Sequence, residues 1–370
     1  MILLDFVFYG FIAVVFIQVI FYIFFFGKFS FLKPLKESSK KIEVSVIICA
    51  KNEAENLKNF LPSIISQVYP NFEIVLINDA SSDDTLDVME TFANEHANIK
   101  IVDVKNIEAF WGNKKYALTL GIKASKNDYL LFTDADCKPV SKYWIQEMCS
   151  HFNDEKSIVI GYGAYSKINN SFLNKLIRFE TLVTAVQYFS FAKIGLPYMG
   201  VGRNLAYSKT EFFNANGFIN HIKIRSGDDD LFINQVASKK NTAICFSENS
   251  FTISNPKTTF KDWIKQKRRH VSTAKYYKSH HKILLTLLYC TQLFFWIFAT
   301  ILFITTFNWQ IVLALFLIRL IIQFIIFGKS SKKLEEKDLM MLLPVLEVFL
   351  IVTQLTIFIN NLISKPNHWK

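Results

Sequence analysis

The chain has 370 residues, of which 51% are hydrophobic and 37 are phenylalanine, more than the core of one soluble domain requires. Its formal net charge of +11 concentrates in residues 28–41 and 257–282 beside long apolar runs, so we expect membrane lipids with anionic headgroups, and no nucleic acid, as the partner. The five cysteines form no CxxC pair, which argues against a disulfide framework and a zinc site and fits a reducing cytoplasm.

The first predicted element is a transmembrane helix. Residues Phe6 to Phe26 are apolar except for Gly10 and Gln18, and this length matches the hydrocarbon thickness of a bilayer. A cleaved secretory signal is the alternative, but no basic residue precedes the apolar run. We therefore expect residues 1–27 to be a retained membrane helix and 28–42 a basic linker. The positive-inside rule places this linker in the cytoplasm, because it contains Lys28, Lys33, Lys36, Lys40 and Lys41.

From Glu43 onward, short β-branched runs alternate with helical patterns. This alternation predicts an α/β domain with a doubly wound, mostly parallel sheet, in which ligands bind beyond the carboxyl ends of the strands. No GxGxxG follows the first strand, which argues against a dinucleotide-binding dehydrogenase. The predicted strands are 44–48, 72–77, 99–104 and 129–133, and the predicted helices are 53–68, 81–96 and 116–124.

The last of these strands places two carboxylates at its tip. Asp134 and Asp136 are separated by one residue, and such a pair can share one divalent ion, Mg²⁺ or Mn²⁺, that bridges a diphosphate. An Asp-x-Asp motif alone is weak, because loops after strands are often acidic. Whether this pair is a metal site therefore depends on the other motifs of the sequence and their order.

In order and content, residues from about Val44 to Tyr277 resemble the family 2 glycosyltransferases, whose catalytic domain has the GT-A fold. Within that family the chain resembles the membrane-anchored group of poly-N-acetylglucosamine synthases and ceramide glucosyltransferases. The first four motifs that carry the resemblance are Val44-Ser-Val-Ile-Ile-Cys-Ala-Lys-Asn-Glu53, Asn78-Asp-Ala-Ser-Ser-Asp-Asp-Thr85, Lys114-Lys-Tyr-Ala-Leu-Thr-Leu-Gly121 and Thr133-Asp-Ala-Asp136.

The resemblance implies a role for each motif. Asp136 would bind the metal, and Asp134 the ribose or the metal's water shell. Lys114 would lie near the nucleotide; its alternative is a solvated lysine at a helix start. Residues 81–85 have the alternative of a plain helix cap. The residues implied to hold the base and ribose are Ala50, Asn52, Glu53 and Asp79.

Two further motifs follow downstream. A glycine-rich stretch, residues 200–207, resembles the segment that precedes the family's catalytic carboxylate. The motif Ser226-Gly-Asp-Asp-Asp-Leu231 falls where related enzymes carry the general base, and counting back from Leu231 favours Asp228. Asp229 is the alternative, because Gly227 replaces the first carboxylate of the common Glu-Asp form. A third interpretation is that these aspartates only cap the following helix.

Residues Gln266, Arg269 and His270 resemble the family's Gln-x-x-Arg-Trp, which contacts the leaving diphosphate and the acceptor. His270 stands where tryptophan is usual, so stacking on a sugar is in doubt there. Residues 256–282 also have the pattern of a basic interfacial segment, which is compatible with this role. Residues 171–196 predict one more helix, either interfacial or packed in the core.

Three apolar runs, 283–307, 309–327 and 339–363, make residues 283–370 a membrane region of two or three transmembrane helices. The runs contain polar residues that we expect to face protein or the interface, and a basic loop, 328–337, agrees with a cytoplasmic end. Whether the last run crosses stays open, since the tail ending His368-Trp369-Lys370 is basic. The polar residues are Arg319, Gln323 and Glu347, and the last run also contains Pro344.

Residues 43–255 are thus expected to be a cytoplasmic GT-A domain on a bacterial-type inner membrane. The resemblance implies an inverting, metal-dependent hexosyl- or N-acetylhexosaminyltransferase that uses a nucleotide sugar, with UDP as the expected nucleotide. The expected acceptor is lipid-linked or a cell-envelope glycan. A processive polysaccharide synthase is the alternative, although such enzymes generally carry more membrane helices. An inactive membrane scaffold and a lipid-binding structural protein leave the ordered carboxylates unexplained.

Overall fold

The computed structural model describes residues 2–33, 42–105, 114–224 and 226–364. Three of the lysines in the predicted basic linker, at positions 36, 40 and 41, and the tail 368–370 lie outside the described residues.

Among these residues, four helices are long and apolar enough to cross a membrane, and they coincide with the four apolar runs of the sequence. The first, Ile2–Ser30, joins α1 (Ile2–Ile20), a π-helical segment (Phe21–Phe26) and α2 (Gly27–Ser30). The others are α11 (Ser279–Ile304), α12 (Trp309–Lys333) and α13 (Leu343–Ile363), the last preceded by a 3₁₀ segment, Lys337–Leu342.

The end of α12 corrects one prediction. The segment 328–337 was expected to be a loop because it is basic, but it is helical as far as Lys333. The Ser330 hydroxyl lies 2.8 Å from that of Ser30, and the Lys333 ammonium donates to the carbonyl of Phe29 at 2.8 Å. These contacts hold the end of α12 beside the end of α2.

The domain that is expected to be catalytic, called the catalytic domain below, contains two sheets, and its fold class is the predicted one. In the seven-stranded sheet the order is β3-β2-β1-β4-β8-β6-β9, with β8 antiparallel to both of its neighbours and the other pairs parallel. The second sheet has the order β5-β10-β7. The strands are β1 (Val44–Ala50), β2 (Phe72–Asp79), β3 (Ile99–Val104), β4 (Tyr129–Asp134), β5 (Cys137–Pro139), β6 (Ile158–Ile160), β7 (Gly163–Tyr165), β8 (Leu205–Ser208), β9 (Thr242–Ile244) and β10 (Thr252–Ser254).

Helices cover both faces of the large sheet, which is why its central strands are apolar on both faces. Successive side chains of a strand point to opposite faces, so Ile47 belongs to one hydrophobic core and its neighbours Val46 and Ile48 belong to the other. The catalytic-domain helices are α3 (Ala54–Ile65), α4 (Thr85–Glu95), α5 (Lys114–Ala124), α6 (Trp144–Cys149), α7 (Phe172–Lys193), α8 (Lys209–Asn214), α9 (Asp230–Val236) and α10 (Phe260–Val271).

Helix α7 belongs to the core, which decides between the two predictions for residues 171–196. Leu176, Leu182 and Phe189 are fully buried. The ring of Phe189 stacks 4.9 Å from that of Phe29 at the end of the first membrane helix. Helix α7 therefore joins the catalytic domain to the membrane region.

A buried ion cluster strengthens this joint. Arg178 of α7 donates to both oxygens of Asp338, at 2.9 and 2.6 Å, and pairs with Glu336 in the turn between α12 and α13. Burial raises the pKa of Glu336 to about 7, against the opposing effect of Arg178. The cluster ties the catalytic domain to the turn that follows α12.

A second polar cluster lies within the apolar bundle. Arg319 of α12 is fully buried, and its guanidinium donates to Glu347, Gln323, Gln18 and Tyr22 at 2.5–3.0 Å. These polar side chains thus face protein, as expected from their cost in lipid.

Candidate active site

The loops after β1 and β2 are tied to each other. Asn52 has a positive φ of 55°, and its backbone N–H donates to the Ser81 hydroxyl at 3.0 Å. The Asn52 side chain in turn accepts from the N–H of Ser82 at 2.8 Å, and the Glu53 N–H donates to the Thr85 hydroxyl at 2.9 Å. The serines thus bond the neighbouring loop, and the two loops form one unit at the carboxyl edge of the sheet.

Two of the predicted base- and ribose-binding residues end their strands here. Asp79 is buried at the end of β2, and burial raises the pKa of its carboxyl while Lys51 and Lys114 oppose this shift. Ala50 ends β1, but its methyl group packs in a hydrophobic core. Only the backbone of Ala50 therefore remains for contact with a ligand.

Lys114 is the centre of the site. Its ammonium lies 2.9 Å from Asp134, at the end of β4, and 3.2 Å from Asp228, just before α9. Burial disfavours the charged form of Lys114, but the two carboxylates outweigh burial and raise its pKa well above the usual value. A solvated lysine is therefore the wrong alternative, since only 16% of this side chain is exposed.

The Asp-x-Asp pair has the chemistry of a cation site. Ligand atoms of Asp134, Asp136 and Cys137 all lie within 4.8 Å of one another. Burial opposes ionisation of Asp134, but Lys114 lowers its pKa below the usual range. The pKa of Asp136 is raised instead, first by burial and then by the charges of Asp134 and Glu53. A divalent cation would offset this repulsion, so the residues fit Mg²⁺ or Mn²⁺.

The adjacent cysteine supports the carboxylates as the ligands. Burial raises the pKa of the Cys137 thiol, and its S–H lies 3.5 Å from an oxygen of Asp136. A neutral thiol is a weak ligand for a hard cation, so the oxygens are the donors that matter.

Three consecutive aspartates have three different environments. Asp228 pairs with Lys114. Asp229 is the N-cap of α9 and accepts from the N–H groups of Asp230 and Gly202, both at 2.7 Å. Burial, followed by its two acidic neighbours, raises the pKa of Asp229 to about 7.

Asp230 is buried and accepts from the hydroxyls of Thr273 and Tyr277 at 2.5 and 2.6 Å. The capping interpretation therefore describes Asp229.

The backbone explains why a glycine precedes this triplet. Gly227 has a φ of 92°, and a Cβ at this position would lie 2.6 Å from the side chain of Leu231. A carboxylate-bearing residue would be strained and would clash here. The common Glu-Asp form is thus excluded by this turn.

Helix α10 brings Arg269 to the carboxylates. Burial lowers the pKa of Arg269, whereas the charges of Asp228 and Asp134 act in the opposite direction, so the guanidinium lies within their field. Gln266 is half-buried and His270 is exposed on the same helix. The structure thus places the charge of Arg269 beside the carboxylates of the site, and His270 in turn lies within the field of Arg269, Arg203 and Lys114.

Arg203 is a site residue to which the sequence analysis gave no role. Its guanidinium donates to the carbonyls of Gly163 and Ala164 at 2.8 and 3.0 Å, and it stacks 4.2 Å from the centre of the Tyr165 ring. Its charge lowers the pKa of Asp136, against burial. The only signal in the sequence is an arginine placed directly after the glycines of the 200–207 stretch.

Lys115 is a second residue without a predicted role. It is fully buried, and its ammonium donates to three backbone carbonyls, those of His221 (2.8 Å), Ile224 (2.9 Å) and Ser226 (2.8 Å). Burial is the main reason that its pKa falls to about 8. The three bonds fix the segment that leads directly to Asp228.

We expect Lys115→Met to lower kcat by roughly a hundredfold, because a shift of about 1 Å in a reacting group has an effect of this size. Binding of the nucleotide should change little, since Lys114 and Asp134 stay in place. Initial rates and calorimetric donor binding measure the two effects. The matched control is Lys123→Met, an exposed lysine on the same helix. Equal kcat values for the two variants would contradict the role of Lys115.

Comparison with known proteins agrees with the geometry. Residues 45–221 match the family model described as glycosyl transferase family 2. A poly-beta-1,6-N-acetyl-D-glucosamine synthase of Staphylococcus epidermidis is 36% identical over 109 residues, which are 29% of this chain and 25% of that protein. A UDP-Glc:alpha-D-GlcNAc-diphosphoundecaprenol beta-1,3-glucosyltransferase of Escherichia coli is 30% identical over 125 residues, 33% of this chain and 45% of that protein. The matches thus span between a quarter and just under half of these relatives.

Among solved structures, a mannosyltransferase from Pyrobaculum calidifontis in complex with GDP-Man and Mn²⁺ superposes with a TM-score of 0.59. The sequences are 16% identical, and the superposition covers 93% of this chain and 99% of that one. This likeness concerns the fold, and it confirms the predicted GT-A-like architecture.

Proposed function

We propose that the protein transfers a sugar from a nucleotide diphosphate sugar. The premise is that residues 45–221, which match the glycosyl transferase family 2 model, form the transferase domain of a membrane-integrated chain. The expected donor is a UDP-sugar. The expected acceptor is a lipid-linked or cell-envelope glycan. The observation that carries this proposal is the meeting of Lys114 with Asp134 and Asp228 at the carboxyl edge of the sheet.

In the proposed reaction, Asp228 is the general base. It takes the proton of an acceptor hydroxyl, and the hydroxyl oxygen attacks the anomeric carbon from the face opposite the leaving group. The bond between that carbon and the diphosphate oxygen breaks, so the configuration inverts. Lys114 and Arg269 lie close enough to the carboxylates to stabilise the negative charge that develops on the diphosphate.

A divalent cation, Mg²⁺ or Mn²⁺, would be held by Asp136 with Asp134 and would supply further positive charge for the diphosphate. The loops that carry Asn52, Glu53 and Asp79 would hold the base and ribose. Gln266 and His270 lie on the same helix as Arg269, and we assign all three to binding of the donor, at the leaving diphosphate and next to the acceptor.

The membrane contacts support a catalytic domain that faces the cytoplasm, where nucleotide sugars are made. Lys333 at the end of α12 donates to the carbonyl of Phe29 in α2 and to that of Leu32 just after it, so the basic end of α12 lies beside the start of the basic linker, next to the catalytic domain. The positive-inside rule assigns that end to the cytoplasm.

Processive polysaccharide synthesis is the second candidate, because one relative is named as a poly-N-acetylglucosamine synthase. Both candidates use the same site and differ in their product. A single transfer gives a discrete glycolipid, whereas processive synthesis gives a polymer.

The test is a panel of radiolabelled nucleotide sugars, UDP-Glc, UDP-GlcNAc, UDP-Gal and GDP-Man, incubated with the protein in membranes. We expect transfer from a UDP-sugar to a product soluble in organic solvent. Label retained as high-molecular-weight glycan would favour the processive candidate. If the protein neither transfers sugar from any of the four donors nor binds any of them in calorimetry, the proposal is overturned.

A further inference from the structure

The last apolar helix, α13, is attached to the catalytic domain at both ends. Before its start, Asp338 accepts from Arg178 of α7, at 2.9 and 2.6 Å, and from Lys167 at 3.1 Å. At its end, Arg268 of α10 donates to Asn361 at 2.9 Å and to the carbonyl of Asn360 at 3.1 Å. Asn361 donates back to the carbonyl of Arg268 at 3.1 Å.

The middle of α13 also contacts this domain, since the Phe349 ring lies 5.0 Å from that of Phe172 at the start of α7. The helix has 21 residues and is therefore about 31 Å long. A helix of that length that crossed the bilayer would carry one end across the whole hydrocarbon core, to the far side from the catalytic domain.

Helix α10, which binds the C-terminal end of α13, cannot lie in hydrocarbon. Helix α10 exposes Lys261, Asp262 and Lys265, and charged side chains are costly in lipid. Because Arg268 belongs to this helix, the end of α13 lies at the membrane surface on the catalytic side.

The first membrane helix shows where the hydrocarbon boundary lies on the side of the catalytic domain. Ile2–Ser30 has 29 residues, about 43 Å, which exceeds the hydrocarbon thickness of about 30 Å. Its last part packs on the catalytic domain, with the Phe25 ring 6.0 Å from that of Phe191. The hydrocarbon boundary on the catalytic side therefore lies near Phe25, and Tyr22 lies about one helical turn deeper in the bilayer.

Helix α13 runs within about one helical turn of this boundary. Glu347 shares Arg319 with Tyr22, and four residues later the carbonyl of Ile351 accepts from the Tyr289 hydroxyl at 3.2 Å. One side of α13 packs against protein through buried residues such as Leu346 and Leu350. The other side is apolar and exposed, at 45–79%, through Val345, Val352, Phe358, Ile359, Leu362 and Ile363.

We propose that α13 is not a fourth crossing but lies in the plane of the leaflet next to the catalytic domain, with its outer face against the acyl chains of that leaflet. Beside it, the exposed lysines of α10 face the headgroups. The described residues then cross the bilayer three times, through the first membrane helix, α11 and α12. This inference rests on contacts of α13 and not on the proposed transfer reaction.

Cysteine labelling tests which side holds the end of α13. We replace Cys49 and Cys290, the two partly exposed native cysteines among those described, by alanine. Ser364→Cys is then compared with Glu95→Cys on the catalytic domain and Asn308→Cys in the turn between α11 and α12. Intact cells and inverted vesicles are treated with a membrane-impermeant maleimide. We expect Ser364→Cys to label like Glu95→Cys, and labelling like Asn308→Cys would overturn the proposal.

Depth measurement gives a second readout. Nitroxide labels on Val345→Cys, Val352→Cys and Leu362→Cys report depth through the ratio of oxygen to water-soluble nickel accessibility. An in-plane helix places the three labels at similar depths. A crossing helix separates the first and the last by about 25 Å, and that spread would refute the in-plane orientation.

Discussion

Asp136→Asn is expected to abolish sugar transfer. The variant removes one negative charge from a site whose cation must offset the diphosphate of the donor, and an amide oxygen is a poorer ligand for Mg²⁺ or Mn²⁺ than a carboxylate. Nucleotide release at saturating donor over a Mn²⁺ titration measures the effect, and calorimetry measures Mn²⁺ binding itself.

The control for this variant is Asp154→Asn, an exposed aspartate outside the site, which should retain full activity. Chelator-treated enzyme that keeps its full rate without added metal would show that the assignment of a cation to Asp134 and Asp136 is wrong.

Asp228→Asn is expected to lower turnover by roughly a hundredfold or more, because it removes the base and nearly preserves the shape of the side chain. Donor binding should change little. Asp229→Asn should act mainly on stability, since Asp229 caps α9, and a lost cap typically costs about 1 kcal/mol. Single-turnover rates together with thermal unfolding in detergent separate the two roles.

The pH dependence of stability gives an independent check on Asp229. Its pKa is raised to about 7 by burial, whereas an unfolded aspartate titrates near about 4. The folded protein thus binds the extra proton between these values, so this group makes the wild type less stable as pH rises from about 4 to about 7. The variant should lack this component. Near-normal turnover of Asp228→Asn beside an inactive Asp229→Asn would move the base to Asp229.

The sequence could predict the parts of the fold that depend on local patterns. Strands β1 and β2 are rich in β-branched residues, β4 is rich in large apolar residues, and all three are buried on both faces, so their positions, and with them Asp79 and Asp134 at the ends of β2 and β4, were visible in the sequence. The end of α12 was misplaced because the lysines suggested a loop, whereas contacts with α2 extend the helix.

The positioning residues were invisible for a different reason. Lys115 bonds backbone carbonyls 106 to 111 residues away, and Arg203 bonds β7, 39 and 40 residues before it. Periodicity reports which face of an element is buried, but it carries no information about which distant loop a long cationic side chain will reach. Such partners depend on tertiary structure alone.

The Arg319 cluster sets an order for the biogenesis of this protein. Synthesis delivers Gln18 and Tyr22 first, Arg319 about 300 residues later, and Glu347 only after a further 28 residues. An arginine at the bilayer centre costs about 2.5–3.5 kcal/mol on insertion, and this cost is smaller close to the boundary, where Arg319 lies. The neutral partners Gln18 and Tyr22 leave its charge uncompensated. Between the release of α12 and the arrival of Glu347, the nascent chain therefore holds an unneutralised cation within the membrane.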